Sequence, residues 1–210
     1  MTKIVIIGGG WAGCAAALAA SKFGGRIVLL EKTDLLLGCG LAAGIMRNNG
    51  RYTAAEELIC LGAGEMIAIT DRAARHVGIN FPGHNHVSLY DTSRVEPLVR
   101  ETLEKKGVAV LTRSRVVDVV MADDRRIGGV VIDNGSVIMG DTFIEATGSA
   151  GPMGNCTRYG NGCAMCALRC PSFGPRVSLS SKAGVADLVG MRGEGVETFG
   201  VFSGSCELNR

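Results

Sequence analysis

The first thirty residues constrain the fold most. Ile4 to Ile7 is an unbroken apolar run that ends in Gly8-Gly9-Gly10, the mark of a buried parallel strand. Trp11 to Lys22 is Ala-rich and reads as a helix stopped by Gly24-Gly25. Arg26 to Leu30 is a second buried strand, closed by Glu31. The glycines therefore stand as Gly8-x-Gly10-x-x-Gly13 between a strand and a helix, the context a dinucleotide fingerprint requires. Gly8 permits a sharp turn, Gly10 lets a pyrophosphate approach the backbone, and Gly13 lets the helix lie close on the strand. Trp11 and Ala12 open the helix whose free N–H groups and dipole favour phosphate. Glu31, followed by Lys32, lies roughly 20 residues on, where an acid accepts ribose hydroxyls and repels a 2′-phosphate. Gly62-x-Gly64 and Gly193-x-Gly195 are partial matches without that strand and acid.

The remaining pattern predicts an α/β chain. Gly38 to Gly50 reads as an irregular loop, Ala54 to Ala74 as a helix interrupted near Gly62 and Gly64, and residues 80–91 as loop and extended chain. Ser93 and Glu96 have capping-box spacing at the start of a helix whose apolar face is Val95, Leu98, Val99 and Leu103, with Gly107 as its stop. Val108 to Thr112 is a strand. Three alternating strands follow, Ser114–Met121, Ile127–Asp133 and Ser136–Met139, joined by Asp123-Asp124 and Asn134-Gly135 turns that favour a meander. Thr142 to Ala146 is a further buried strand that runs into Thr147-Gly148. The expected organisation is a dinucleotide-binding domain over 1–150 and the start of a Cys-rich second domain over 151–210.

A meander inserted before a last inner strand ending Ala146-Thr147-Gly148 resembles the FAD-binding domain of the glutathione-reductase-type flavoproteins. The resemblance covers residues 1–150 in order. It implies a Rossmann-like parallel sheet and FAD as cofactor, held by Gly8, Gly10, Trp11, Ala12, Gly13, Glu31, Lys32, Gly38, Gly40, Val117, Ala146, Thr147 and Gly148.

Cys156, Cys163, Cys166 and Cys170 follow, in the run C-x6-C-x2-C-x3-C-P. The last three and Pro171 match the tail of the bacterial ferredoxin run, although the first spacing is six residues rather than two. A [4Fe–4S] cluster is the leading reading of these four thiols. Zinc is the competing metal, but structural zinc sites usually separate their thiolates into two pairs. A Cys163–Cys166 redox dithiol is a third reading, and cysteines serving simply as small side chains are a fourth. A cluster beside FAD has an evident use, since it passes single electrons to a cofactor that takes one or two. Cys39, between Gly38 and Gly40, is a candidate catalytic thiol, with a small residue fitted to a tight turn as the plainer account. Cys14 and Cys60 read as helix core residues, and Cys206 has no assignment. His84 and His86 lack a third ligand and read as surface histidines.

The block from Tyr159 to Arg176, taken with Gly38-Cys39-Gly40, looks like a group of bacterial FAD-dependent oxidoreductases related to the GidA and TrmFO flavoproteins of tRNA modification. The four cysteines do not belong to the tRNA enzymes' pattern, which argues against an RNA substrate. The resemblance also implies a chain of about twice this length, whose later half supplies a second FAD segment. The expectation is accordingly a fragment, or a subunit completed by another chain. The expected activity is that of an Fe–S flavoenzyme, with a tRNA-modifying flavoprotein and an electron-carrier or scaffold subunit as alternatives. The expected partners are a small-molecule or protein redox partner and the rest of the FAD site, with tRNA and homo-oligomer assembly left open.

Composition narrows this further. The net charge of +2 gives no field that would recruit nucleic acid or a membrane surface by default. The apolar runs are short of a membrane span. Eight cysteines read as metal or redox groups in a reducing compartment, and the N-terminus goes straight into a strand, so the expected location is cytoplasmic.

Overall fold

The computed structural model describes residues 1–42, 54–81, 84–148 and 177–185. Its centre is a four-stranded parallel sheet. β1 (Lys3–Ile7) lies between β2 (Arg26–Leu30) and β9 (Thr142–Glu145), and β5 (Ala109–Leu111) pairs with the outer side of β2. Ile6 stands level with Leu29 and with Ile144. This is the α/β fold with a parallel sheet that the apolar runs predict.

Strand alternation divides the core between the two faces of this sheet. Ile6 and Leu29 point to one face, among Cys14, Ala17 and Leu18 of α1 (Trp11–Ser21), Met66 and Ile69 of α4 (Glu65–Arg72), and Val95, Val99 and Leu103 of α5 (Thr92–Lys105). Val5, Ile7 and Leu30 point to the other, against Val116 of β6 (Val116–Asp123) and Val130 and Ile132 of β7 (Arg126–Ile132). With β8 (Val137–Met139), β6 and β7 form the antiparallel meander. Gly135 takes φ +85° in the Asn134-Gly135 turn, a conformation open to glycine.

The second face also receives chain from beyond position 150. α6 (Leu179–Lys182) is capped by Ser178 and seats Leu179 beside Val5, Ile7 and Val116. Lys182 pairs with Asp118 of the meander at 3.5 Å.

Three local expectations are corrected. The stretch read as loop and extended chain is an antiparallel hairpin, β3 (Ala74–Phe81) and β4 (His84–Tyr90), with its register shifted at three places. Those irregularities break the two-residue alternation by which a strand is recognised. Ala74 therefore belongs to a strand, while the interruption expected near Gly62 and Gly64 does separate two helices, α3 (Ala54–Cys60) and α4. At the start of α5 the cap is Asp91, whose carboxylate accepts the Ser93 N–H at 2.9 Å and the Ser93 hydroxyl at 2.6 Å. Glu96 does not close a capping box. It lies inside the protein at 5% exposure. Finally, the start of the loop expected over Gly38–Gly50 is a helical turn, α2 (Cys39–Ala42).

Candidate functional site

The carboxyl ends of β1, β2 and β9 meet at the glycine turn. Gly8 has φ +103°, and its N–H donates to the Leu30 carbonyl at 2.8 Å. A Cβ on Gly8 would sit 2.3 Å from the Ala146 carbonyl oxygen, so β9 presses directly on the turn. A Cβ on Gly13 would sit 1.8 Å from the Gly8 carbonyl oxygen, which is the close helix–strand approach the third glycine permits. Gly10 differs. Nothing lies within 4 Å of where its Cβ would be, and it opens α1 with no side chain capping the helix. The fingerprint thus has two glycines pressed by protein and one facing open space at an uncapped helix N-terminus. An ADP pyrophosphate fits that opening, because the helix amides and dipole favour anions there.

Glu31 closes the turn from beneath at 6% exposure. Its Oε2 accepts the Gly9 N–H at 2.7 Å, and its Oε1 accepts the Thr33 N–H at 2.9 Å and the Thr33 hydroxyl at 3.0 Å. A carboxylate offers about four acceptor positions, so Oε2 retains one for a ribose hydroxyl. Sequence spacing located Glu31 but not its bond to the fingerprint. Lys32 follows in the half-buried stretch leading out of the strand.

The stretch after β2 returns to the same turn. Leu37, at φ +74°, donates its N–H to the Gly9 carbonyl at 2.7 Å and bridges Gly10. Gly38 follows at φ +53°, and the α2 turn is packed beneath Trp11 and Tyr90. A Cβ on Gly40 would sit 2.2 Å from Trp11 Nε1, and Tyr90 Oη donates to the Gly40 carbonyl at 2.6 Å. The two rings are tilted with centroids 6.0 Å apart. Spacing did not single out Tyr90. Its partner Gly40 is fifty residues away, and the hairpin that carries it lacks the regular alternation of a strand.

The structure brings Gly8, Gly10, Trp11, Ala12, Gly13, Glu31, Gly38, Gly40, Ala146, Thr147 and Gly148 to this one edge of the sheet. Ala146 donates its N–H to the Ile7 carbonyl, Thr147 Oγ1 donates to Glu145, and Gly148 has φ +85°. Val117 is half-buried on β6, in the meander. Cys39 begins α2, and its thiol lies outside the described part of the structure. Cys156, Cys163, Cys166 and Cys170 also lie outside the described residues, as does Cys206. Among the described residues there is no group of three or more His, Cys, Asp or Glu side chains able to hold a metal, and no helix long and apolar enough to cross a membrane. The backbones of His84 and His86 belong to β4.

Cys14 sits under the fingerprint, where its Sγ donates to the Gly9 carbonyl at 3.2 Å. Burial pushes its thiol up to about 12, since a thiolate there would lose its hydration. It is a packing residue and not a nucleophile.

The family model described as glucose inhibited division protein A matches residues 3–204. The chain belongs to that family. A curated relative, the tRNA uridine 5-carboxymethylaminomethyl modification enzyme MnmG of Alkaliphilus metalliredigens (strain QYMF), is 27% identical over 153 residues, which cover 69% of this chain and 24% of that protein. The chain therefore spans about a quarter of the length of the curated relative it matches. Among solved structures, Aquifex aeolicus GidA superposes with a TM-score of 0.54 at 21% identity, over 70% of this chain and 25% of that one. Glycine oxidase from Bacillus cereus superposes with a TM-score of 0.52 at 14% identity, over 71% of this chain and 56% of that one. These likenesses establish the fold.

Proposed function

We propose that this GidA-family chain holds the ADP half of FAD, as the nucleotide end of a flavoprotein that acts on tRNA uridine. The observation that carries the cofactor reading is the contrast within the fingerprint. Gly8 and Gly13 are filled against by protein, while Gly10 and the α1 N-terminus are open. Gly10, Trp11 and Ala12 offer their backbone to the pyrophosphate, and Glu31 accepts from the adenosine ribose. Ala146-Thr147-Gly148 borders the path toward the flavin. When bound, FAD supplies the redox chemistry, while this chain binds and orients the nucleotide. The tRNA reading rests on the MnmG relative, of whose length this chain covers about a quarter.

Titration of the protein with ADP, AMP and adenosine tests the cofactor reading. ADP should bind clearly more tightly than adenosine, because the open glycine and helix terminus recognise the phosphates. Equal affinity for ADP and adenosine would sink it. For the substrate, the reading expects a complex with tRNA that weakens steeply as salt rises. No shift at low salt, with the rest of the flavin site supplied, would remove tRNA as substrate.

The cysteine run favours a second reading of the same chain, an Fe–S flavoenzyme. C-x6-C-x2-C-x3-C-P presents four thiolates and a ferredoxin-like tail. The cysteine run lies between two described positions beside the sheet, Gly148 and Ser180, the latter donating to Glu145 from both its N–H (3.1 Å) and its hydroxyl (3.0 Å). Anaerobic purification followed by metal analysis decides between the metals. Iron with acid-labile sulfide supports the cluster, and zinc in its place removes it.

A further inference from the structure

We propose that Glu96, with Arg100, is a positioning pair for the nucleotide site: from α5 it holds the Lys32–Leu37 stretch in the shape that shapes the fingerprint backbone. This inference rests on the ADP reading above, and it concerns residues that do not touch the nucleotide opening.

Glu96 is a carboxylate inside the apolar face of α5, between Val95 and Val99, at 5% exposure. A charge in such a place is costly unless it is paired and hydrogen-bonded. Its Oε1 accepts the Leu36 N–H at 3.1 Å across sixty residues of sequence, and also the Arg100 Nε–H at 3.0 Å. Arg100 Nη2 completes the ion pair at 2.5 Å and reaches past it to the Asp34 carbonyl at 2.9 Å. One helix thus grips the stretch after β2 at two backbone points, Asp34 and Leu36.

The gripped stretch carries the load on to the fingerprint. Leu36 packs against Gly9, where a Cβ would lie 2.7 Å from Leu36 Cδ2. Leu37 is one of two non-glycine residues with positive φ among the described residues, and it donates to the Gly9 carbonyl. The other, Arg113 at φ +51°, donates its N–H to the Thr33 carbonyl at 2.8 Å, at the opposite end of the same stretch. Left-handed backbone at non-glycine residues persists where the surroundings over-determine it. Here the fixed points are Glu31 at Thr33, Arg113 at Thr33, Arg100 at Asp34 and Glu96 at Leu36. Removing Glu96 releases the end that touches Gly9 and Gly10 while leaving Glu31 in place.

The test is the ADP affinity of folded protein, measured by calorimetry well below the melting temperature. Glu96→Ala should weaken ADP binding by about tenfold, the size expected for losing a buried charged hydrogen bond that orders a site. Glu96→Gln keeps an oxygen for the Leu36 N–H and should recover much of that loss. Glu101→Ala, which removes an exposed α5 carboxylate paired with Lys105, should leave ADP affinity unchanged. If Glu96→Ala melts earlier yet binds ADP as the wild type does, Glu96 is a packing residue and the proposal is wrong. If Glu96→Ala does not fold, Arg100→Ala decides, with several-fold weaker ADP binding expected and wild-type affinity overturning the proposal. Absence of ADP binding by the wild type is a different outcome, and it overturns the cofactor reading together with this one.

Discussion

Three glycines spaced along one turn meet three different surroundings, and substitution should separate their roles. Gly10→Ala places a methyl in open space at φ −67°, a conformation any residue adopts, so stability should change by no more than about 1 kcal/mol. The same methyl stands where a pyrophosphate would approach, so ADP affinity should fall by about tenfold or more. Gly13→Ala should do the reverse in order of cause. Its methyl would lie 1.8 Å from the Gly8 carbonyl oxygen, which forces α1 off the strand and should cost about 3 kcal/mol or more in urea unfolding. Were both variants to lose stability equally, the division of labour within the fingerprint would be wrong. Spacing alone identifies all three positions but cannot tell which of them faces ligand and which faces protein.

At the scale of elements, helix ends show where local pattern suffices and where it misleads. Gly107 stops α5 with φ +77°, and the signal is visible because the physical requirement is local. The start of the same helix has two eligible caps within three residues, Asp91 and Ser93. Asp91 takes the role because its backbone N–H is already tied to the Ala73 carbonyl at 2.8 Å and Arg75 pairs with its carboxylate at 3.0 Å. The Ser93 hydroxyl and then the Ser93 N–H hold the Asp91 carboxyl below its usual 3.8. A depressed carboxyl stabilises the fold above its unfolded value and ceases to do so as pH falls through its folded value. Asp91→Ala should therefore lower the melting temperature at pH 7, and the gap from wild type should narrow as pH falls below 3.8. A gap that stays constant down to the most acid pH at which the protein folds would exclude the charged cap.

For the whole molecule, the informative contact is the return of α6 to the sheet. Leu179 is buried at 3% exposure among residues of β1, β2 and the meander, far along the chain from all of them. Leu179→Ala should cost about 2–4 kcal/mol, the range for a truncated buried leucine. Guanidinium or urea unfolding monitored at the single tryptophan, Trp11, would read it from the far face of the sheet. An unchanged midpoint would mean that the segment after the cysteine run does not belong to this core. Sequence spacing offered no hint of the contact, because Ser178 to Val185 follows a Gly- and Cys-rich stretch with little periodicity, and a four-residue helix has too few positions to show one.

Local chemistry was enough to determine the parallel sheet, the glycine turn, the meander and the acid at the end of β2. Each of these is written in neighbouring residues: apolar runs, turn formers, and glycines where backbone must come close. Tertiary structure decided the rest. It turned Glu96 from a supposed cap into a buried clamp on Leu36, made Asp91 the cap, paired β3 with β4 through an irregular register, and set Tyr90 on Gly40. In each case the partner is distant in sequence or the periodicity is broken, so the free energy that selects the arrangement comes from burial and hydrogen bonds between segments that no local pattern links. The glycine turn itself stands on both sides of that line. Its three positions are legible in one line of sequence, while only the tertiary structure shows that Ala146 presses on Gly8, Glu31 binds Gly9 and Gly10 alone of the three fingerprint glycines faces open space.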